Sequence, residues 1–123
     1  MSKSILVVED QEDNRRILRD LLSSKGYEII EVTDGLAGVE AAKREKPDLI
    51  LMDIQLPGID GYEATRRIKA EPDLAGITII AVTSYALGGD EQKALEAGCD
   101  GYVAKPYSPR KLLAEIEQHL DAS

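Results

Sequence analysis

Short, nearly unbroken aliphatic runs recur along the chain, separated by longer stretches in which apolar residues return every three or four positions. That alternation predicts strands covered on both faces, joined by amphipathic helices. Ile5 to Val8, Leu49 to Met52 and Ile77 to Val82 read as central strands. Glu28 and Glu31 interrupt Tyr27 to Val32, and the half-polar pattern places that strand at a sheet edge. Gly101 to Ala104, stopped by Lys105 and Pro106, reads as a short fifth strand. Ile17, Leu18, Leu21 and Leu22 share one helical stripe, and Leu112, Leu113, Ile116 and Leu120 share another. The last helix has a legible start, with Ser108 as N-cap and Pro109 in the first turn, while Gly26 and Gly98 mark helix stops. The middle helices, near Leu36 to Arg44, Gly61 to Ala70 and Asp90 to Ala97, carry thinner apolar stripes and are expected to contribute less to stability. Gly58 after Pro57 suits a turn with positive φ, and Asp60 is placed to cap the helix that begins at Gly61.

Alternating strands and helices with right-handed crossovers make a doubly wound α/β domain with a parallel sheet, whose ligand site lies beyond the carboxyl ends of the strands. The 123 residues fit one domain, spanning 1–123, with no room expected for an attached output domain. Fifteen Lys and Arg against twenty-three Asp and Glu give a net charge of −8, which repels phosphate backbones and anionic lipid and argues against direct nucleic-acid binding. No 18-residue apolar run and no charged-then-apolar leader is present, so neither a membrane span nor a secretory signal is expected, and the protein should be cytoplasmic. The single cysteine, Cys99, has no partner for an internal disulfide and reads as a small buried side chain near a turn. His119, the only histidine, reads as an ordinary surface residue, because one imidazole supports neither a catalytic triad nor a zinc site. Gly88 and Gly89 have no phosphate-loop pattern around them and read as mobile loop residues.

Every predicted strand except the edge one ends in polar residues: Glu9 and Asp10, then Asp53, then Thr83 and Ser84, then Lys105. The fold would gather three carboxylates, a hydroxyl and an ammonium into one crevice. Crowded carboxylates raise each other's pKa and need nearby cations to ionise together. Lys105 supplies one charge, and a divalent ion with oxygen ligands, best met by Mg²⁺, would cancel the remaining two. Asp10 and Asp53 would bind it directly, Glu9 through water, and the Gln55 backbone carbonyl would complete the protein ligands. A carboxylate can serve as nucleophile, and phosphoryl transfer needs mainly positioning and charge neutralisation. Asp53 is the best-placed acceptor, with Thr83 and Lys105 set to hold the other phosphoryl oxygens.

These residues resemble the response-regulator receiver domains of two-component signalling. The likeness rests on ILVVED at 5 to 10, LILMDIQLPGIDGYE at 49 to 63, AVTSYA at 81 to 86 and AGCDGYVAKP at 97 to 106, and it covers nearly the whole chain. Within the family the motifs are most similar to single-domain and hybrid-kinase receivers, DivK-like ones included. The resemblance implies a (βα)5 flavodoxin-like, CheY-like fold with strand order 2-1-3-4-5. It implies phosphorylation of Asp53 by a histidine kinase or a histidine phosphotransfer protein, with the domain catalysing only its own phosphorylation and dephosphorylation. It further implies a switch made by Thr83 and Tyr102 and a phosphorylation-dependent surface, built from the helix after Thr83, the fifth strand and the last helix, that binds an effector protein. Asn14, Arg15 and Ile17, with Pro106 and Tyr107, are the expected phosphodonor contacts, although surface or packing roles compete for each. By the same resemblance the Lys105–Pro106 bond is cis, and Gln55 and Tyr85 influence water attack on the acyl phosphate, with Tyr85 expected to prolong its life. A haloacid-dehalogenase-like phosphohydrolase is the main rival, but it needs an acid two residues after the nucleophile, where this chain has Gln55. A scaffold that is never phosphorylated is a second rival, against which the intact acidic set argues.

Overall fold

The computed structural model describes residues 3–83, 90–105 and 108–121, without the side chains of Asp90 and Asp121. Five strands alternate with five helices: β1 (Ser4–Val8), α1 (Glu12–Ser23), β2 (Glu28–Val32), α2 (Gly35–Glu45), β3 (Leu49–Asp53), α3 (Gly61–Ala70), β4 (Thr78–Thr83), α4 (Asp90–Ala97), β5 (Gly101–Ala104) and α5 (Pro109–Asp121). All strand pairs are parallel and the order is β2-β1-β3-β4-β5, the expected doubly wound sheet. Because side chains alternate across a strand, each aliphatic run feeds both faces. Leu6, Val8, Ile50, Met52, Ile79 and Ala81 meet α2, α3 and α4, whose contacts are Val39, Ala41, Ala42, Ala64, Ile68 and Ala94. Ile5, Val7, Leu49, Leu51, Ile80 and Val82 meet Leu18 and Leu22 of α1 and Leu112, Ile116 and Leu120 of α5.

Local chemistry sets the element ends. Asp34 caps α2 by accepting from the Ala37 N–H at 2.7 Å, Asp60 caps α3 by accepting from Glu63 at 2.9 Å, and Ser108 Oγ accepts from Lys111 at 3.0 Å. Gly26 and Gly98 have φ of +86° and +109°, as expected of residues that stop α1 and α4. α2 instead ends on Lys46 in the left-handed region, φ 46°, a stop that carries no glycine signal.

β2 lies at the sheet edge, as its half-polar pattern predicts. There the Glu31 carboxylate accepts from Arg19 Nε at 2.6 Å and Nη2 at 2.9 Å, which ties β2 to α1 and holds Glu31 below the usual carboxylate range. One expectation needs correction. His119 was read as an ordinary surface residue; instead it is half-buried, with Nε2 3.5 Å from Glu115 Oε1, and that pair packs over Gly101, where a Cβ would come within 3.0 Å of either atom. Cys99 is buried as expected, its thiol 3.7 Å from Thr65 Oγ1, and burial pushes that thiol's pKa up. The expectations for Ser84, Tyr85, Gly88, Gly89, Pro106 and Tyr107, including the cis bond, fall outside the described residues. No helix among the described residues is long and apolar enough to cross a membrane.

Candidate functional site

A parallel sheet delivers all its carboxyl ends to one rim, and register then decides which side chains meet there. Asp53 closes β3 opposite Val82, and Thr83 closes β4 opposite Ala104, so the acid, the hydroxyl and Lys105 arrive on three neighbouring strands. Glu9 and Asp10 follow the last residue of β1, whose other neighbour is β3. The expected gathering is present: Glu9, Asp10 and Asp53 each offer a carboxylate oxygen within 4.8 Å of one another. Glu9, Asp53 and Thr83 are buried, and Asp10 is half-buried.

Lys105 crosses this cluster. Its Nζ donates to Glu9 Oε1 at 2.9 Å and lies 3.6 Å from Asp53 Oδ2, so the ammonium sits first on Glu9 and second on Asp53. The Lys105 N–H also donates to the Thr83 carbonyl at 2.6 Å, which fixes the root of the side chain beside β4. Glu9 Oε2 accepts from the Gln11 N–H at 3.0 Å, and Asp53 Oδ1 accepts from the Gln55 N–H at 3.1 Å. Burial presses the Glu9 pKa upward, but the Lys105 and Gln11 donors outweigh it and hold this carboxyl below its usual range. Asp53 carries the cost: burial first, then hydrogen bonding and repulsion from Glu9, push it up to about 7. The pocket holds more acid than its own cation neutralises. An all-oxygen donor set with a formal deficit of two positive charges fits a hard divalent ion, with Glu9, Asp10 and Asp53 as the carboxylates able to hold it.

α3 begins hard against this site. The Gly61 N–H donates to the Ile54 carbonyl at 3.0 Å, and a Cβ on Gly61 would overlap the Asp53 carbonyl oxygen and stand 2.8 Å from Ile54 Cα. Gly58 has φ +76°, in line with the expected turn. Tyr102 is partly buried on β5, opposite Ala81, and packs against the α2–α3–α4 side of the core. Arg15, an expected docking contact, also has the packing role that competes with it: its Nη1 donates to the Glu9 carbonyl at 2.9 Å and its Nε lies 3.7 Å from Glu31, so it braces the acidic turn. Ile17 is 51% exposed and stays available on α1, while Asn14 is half-buried.

Two contacts escaped the sequence reading. Gln55 Nε2 donates to Thr83 Oγ1 at 2.9 Å, joining the loop after β3 to the end of β4, and the Gln11 N–H reaches back to Glu9. Neither has a signal in composition or periodicity, since each depends on how a loop turns.

The sequence model of the response regulator receiver domain matches residues 5–117. The polar-differentiation response regulator DivK of Brucella anthropi is 42% identical over 120 residues, covering 98% of both chains. Among solved structures, the receiver domain of a sensor histidine kinase from Pseudomonas aeruginosa, with a magnesium ion coordinated in its active-site cleft, superposes with a TM-score of 0.91 at 39% identity, covering 98% of this chain and 99% of that one. A CheY-like receiver domain protein from Methanospirillum hungatei does so with a TM-score of 0.90 at 33% identity, covering 99% and 96%.

Proposed function

The chain belongs to the family of response regulator receiver domains, and on that premise we propose that it is a phosphorelay receiver whose Asp53 accepts a phosphoryl group from a phosphohistidine. An oxygen of the Asp53 carboxylate attacks phosphorus as the P–N bond breaks, the acyl phosphate forms, and the departing imidazole recovers a proton from solvent. Asp10, Asp53 and the Gln55 carbonyl would hold Mg²⁺ directly and Glu9 through water, and the ion would neutralise the phosphoryl oxygens. The chain's own groups do the rest. Lys105 leaves its bond with Glu9 to pair with the incoming charge, and the Thr83 hydroxyl reports its arrival, with Tyr102 following as the second part of the switch. The observation that carries this reading is the burial of Asp53 among Glu9, Asp10 and Lys105, where acid exceeds cation and three carboxylates lie close enough together to hold a metal ion.

The reaction is the domain's own phosphorylation and dephosphorylation, with no other substrate. The donor is a histidine kinase or a histidine phosphotransfer protein, and an effector protein reads the phosphorylated face in the cytoplasm without nucleic acid. Incubation with acetyl phosphate and Mg²⁺, followed by intact mass, tests the reading. One phosphoryl increment is expected for the parent and none for Asp53→Asn or for the parent in EDTA. An increment that survives in Asp53→Asn overturns the assignment.

A further inference from the structure

Gln55 bonds to both the acid that ends β3 and the hydroxyl that ends β4. Its backbone N–H donates to Asp53 Oδ1 at 3.1 Å, while its side-chain Nε2 donates to Thr83 Oγ1 at 2.9 Å. The root of that side chain is fixed, because the turn around it is closed by the Leu56 and Gly61 N–H groups, which both donate to the Ile54 carbonyl, at 3.1 and 3.0 Å. Thr83 is fully buried and Gln55 is half-buried, so water competes poorly for their bond.

We propose that Gln55 is a positioning residue whose side-chain amide latches the Thr83 hydroxyl in the unphosphorylated protein, so that phosphorylation must break this bond to recruit the hydroxyl. The inference deepens, and rests on, the reading of Asp53 as phosphoacceptor and Thr83 as its partner. Thr83 has one oxygen on a χ1 restricted to staggered wells, and a jump between wells carries Oγ1 outside the narrow distance range of a good hydrogen bond. The bond to Gln55 and a bond from a rotated hydroxyl to a phosphoryl oxygen are therefore alternatives. Free energy held in the first is subtracted from the second, and a donor lost at residue 55 tilts the equilibrium toward the phosphorylated arrangement.

Beryllofluoride with Mg²⁺, a phosphoryl mimic, supplies the test on the full chain, its binding followed through the Thr83 amide and methyl NMR signals. Gln55→Met keeps the stem and removes the donor, and Gln55→Ala repeats the test without the stem. Each is expected to bind beryllofluoride on the order of fivefold more tightly than the parent, the equivalent of one net neutral hydrogen bond. In a Thr83→Val background the same substitutions are expected to change nothing, an outcome that a purely structural role for Gln55 would not give. Equal or weaker binding by Gln55→Met, or a gain that persists in Thr83→Val, overturns the latch while leaving the phosphoacceptor intact. A parent that binds no beryllofluoride, or an Asp53→Asn variant that binds it as well as the parent, overturns the phosphoacceptor reading and the latch with it.

Discussion

Asp53 and Glu9 share a pocket and divide its electrostatics unequally, and the division has a sign that can be measured. With Asp53 raised from 3.8 to about 7 in the folded, metal-free chain, the folded state binds the extra proton between those limits. The stability that this proton contributes is present below about pH 4 and is lost as pH rises through 7. Glu9 runs the other way: its lowered pKa favours the fold above the ordinary glutamate range and is lost as acid protonates it. Asp53→Asn is therefore expected to raise the unfolding free energy measured in urea with EDTA at pH 8, by on the order of 1–3 kcal/mol, with the gap closing toward pH 4. Excess Mg²⁺ should erase the advantage, because it stabilises only the parent's acidic set. A constant gap from pH 4 to 8 would contradict the assignment of the buried proton to Asp53. Gly61 makes a second expectation at this scale. Gly61→Ala must push α3 off the Asp53 carbonyl, and should both destabilise the fold by about 1–3 kcal/mol and slow acetyl phosphate labelling. Normal labelling by a destabilised variant would show that the contact matters to the fold alone. The acids, Thr83 and Lys105 were legible in the sequence because polar residues at the ends of aliphatic runs stand out. Gln55 was legible only as a position, since its amide's reach to Thr83 depends on a turn that periodicity does not encode.

At the scale of elements, the acidic rim has a counterpart at the opposite end of the sheet. Lys69 on α3 donates to the Ala75 and Ile77 carbonyls at 3.1 and 2.7 Å and to Asp100 Oδ2 at 3.2 Å. Asp100 Oδ2 also accepts from the Ile79 N–H at 2.9 Å, and the Asp100 N–H donates to the Ile79 carbonyl at 2.7 Å. One lysine and one aspartate thereby fasten α3 to the starts of β4 and β5. Asp100→Ala leaves the Lys69 charge and the Ile79 N–H short of an acceptor, and should lower stability by about 1–3 kcal/mol. Because Asp100 precedes β5 and Lys105 follows it, phosphorylation at saturating acetyl phosphate should be unchanged. A lost phosphoryl increment in a folded Asp100→Ala protein would show that this end of the sheet governs the other. Strand boundaries were readable to within a residue because aliphatic runs have sharp ends, so that β3 gained only Asp53 and β4 shifted by one position at each end. The stop of α2 at Lys46 was not readable, because a non-glycine residue in the left-handed region has no compositional mark.

Taken whole, the molecule is a sheet insulated on both faces by aliphatic contacts, with Glu9, Asp10, Asp53, Thr83 and Lys105 gathered at the rim of its carboxyl ends. That separation is why family and fold follow from pattern so directly: a doubly wound sheet has one place for ligand chemistry, and the residues placed there are acids, a hydroxyl and a lysine. The identity of the partner proteins is written in surface detail that this logic does not reach. The central claim is that a covalent bond forms between phosphorus and one particular carboxylate. An acyl phosphate is reduced by sodium borohydride to the corresponding alcohol, which marks the aspartate that carried it as homoserine. After labelling with acetyl phosphate and Mg²⁺, reduction and peptide mass spectrometry, homoserine is expected at position 53 and at no other aspartate. Homoserine at Asp10 or elsewhere, or a labelled protein that yields none, would contradict the account.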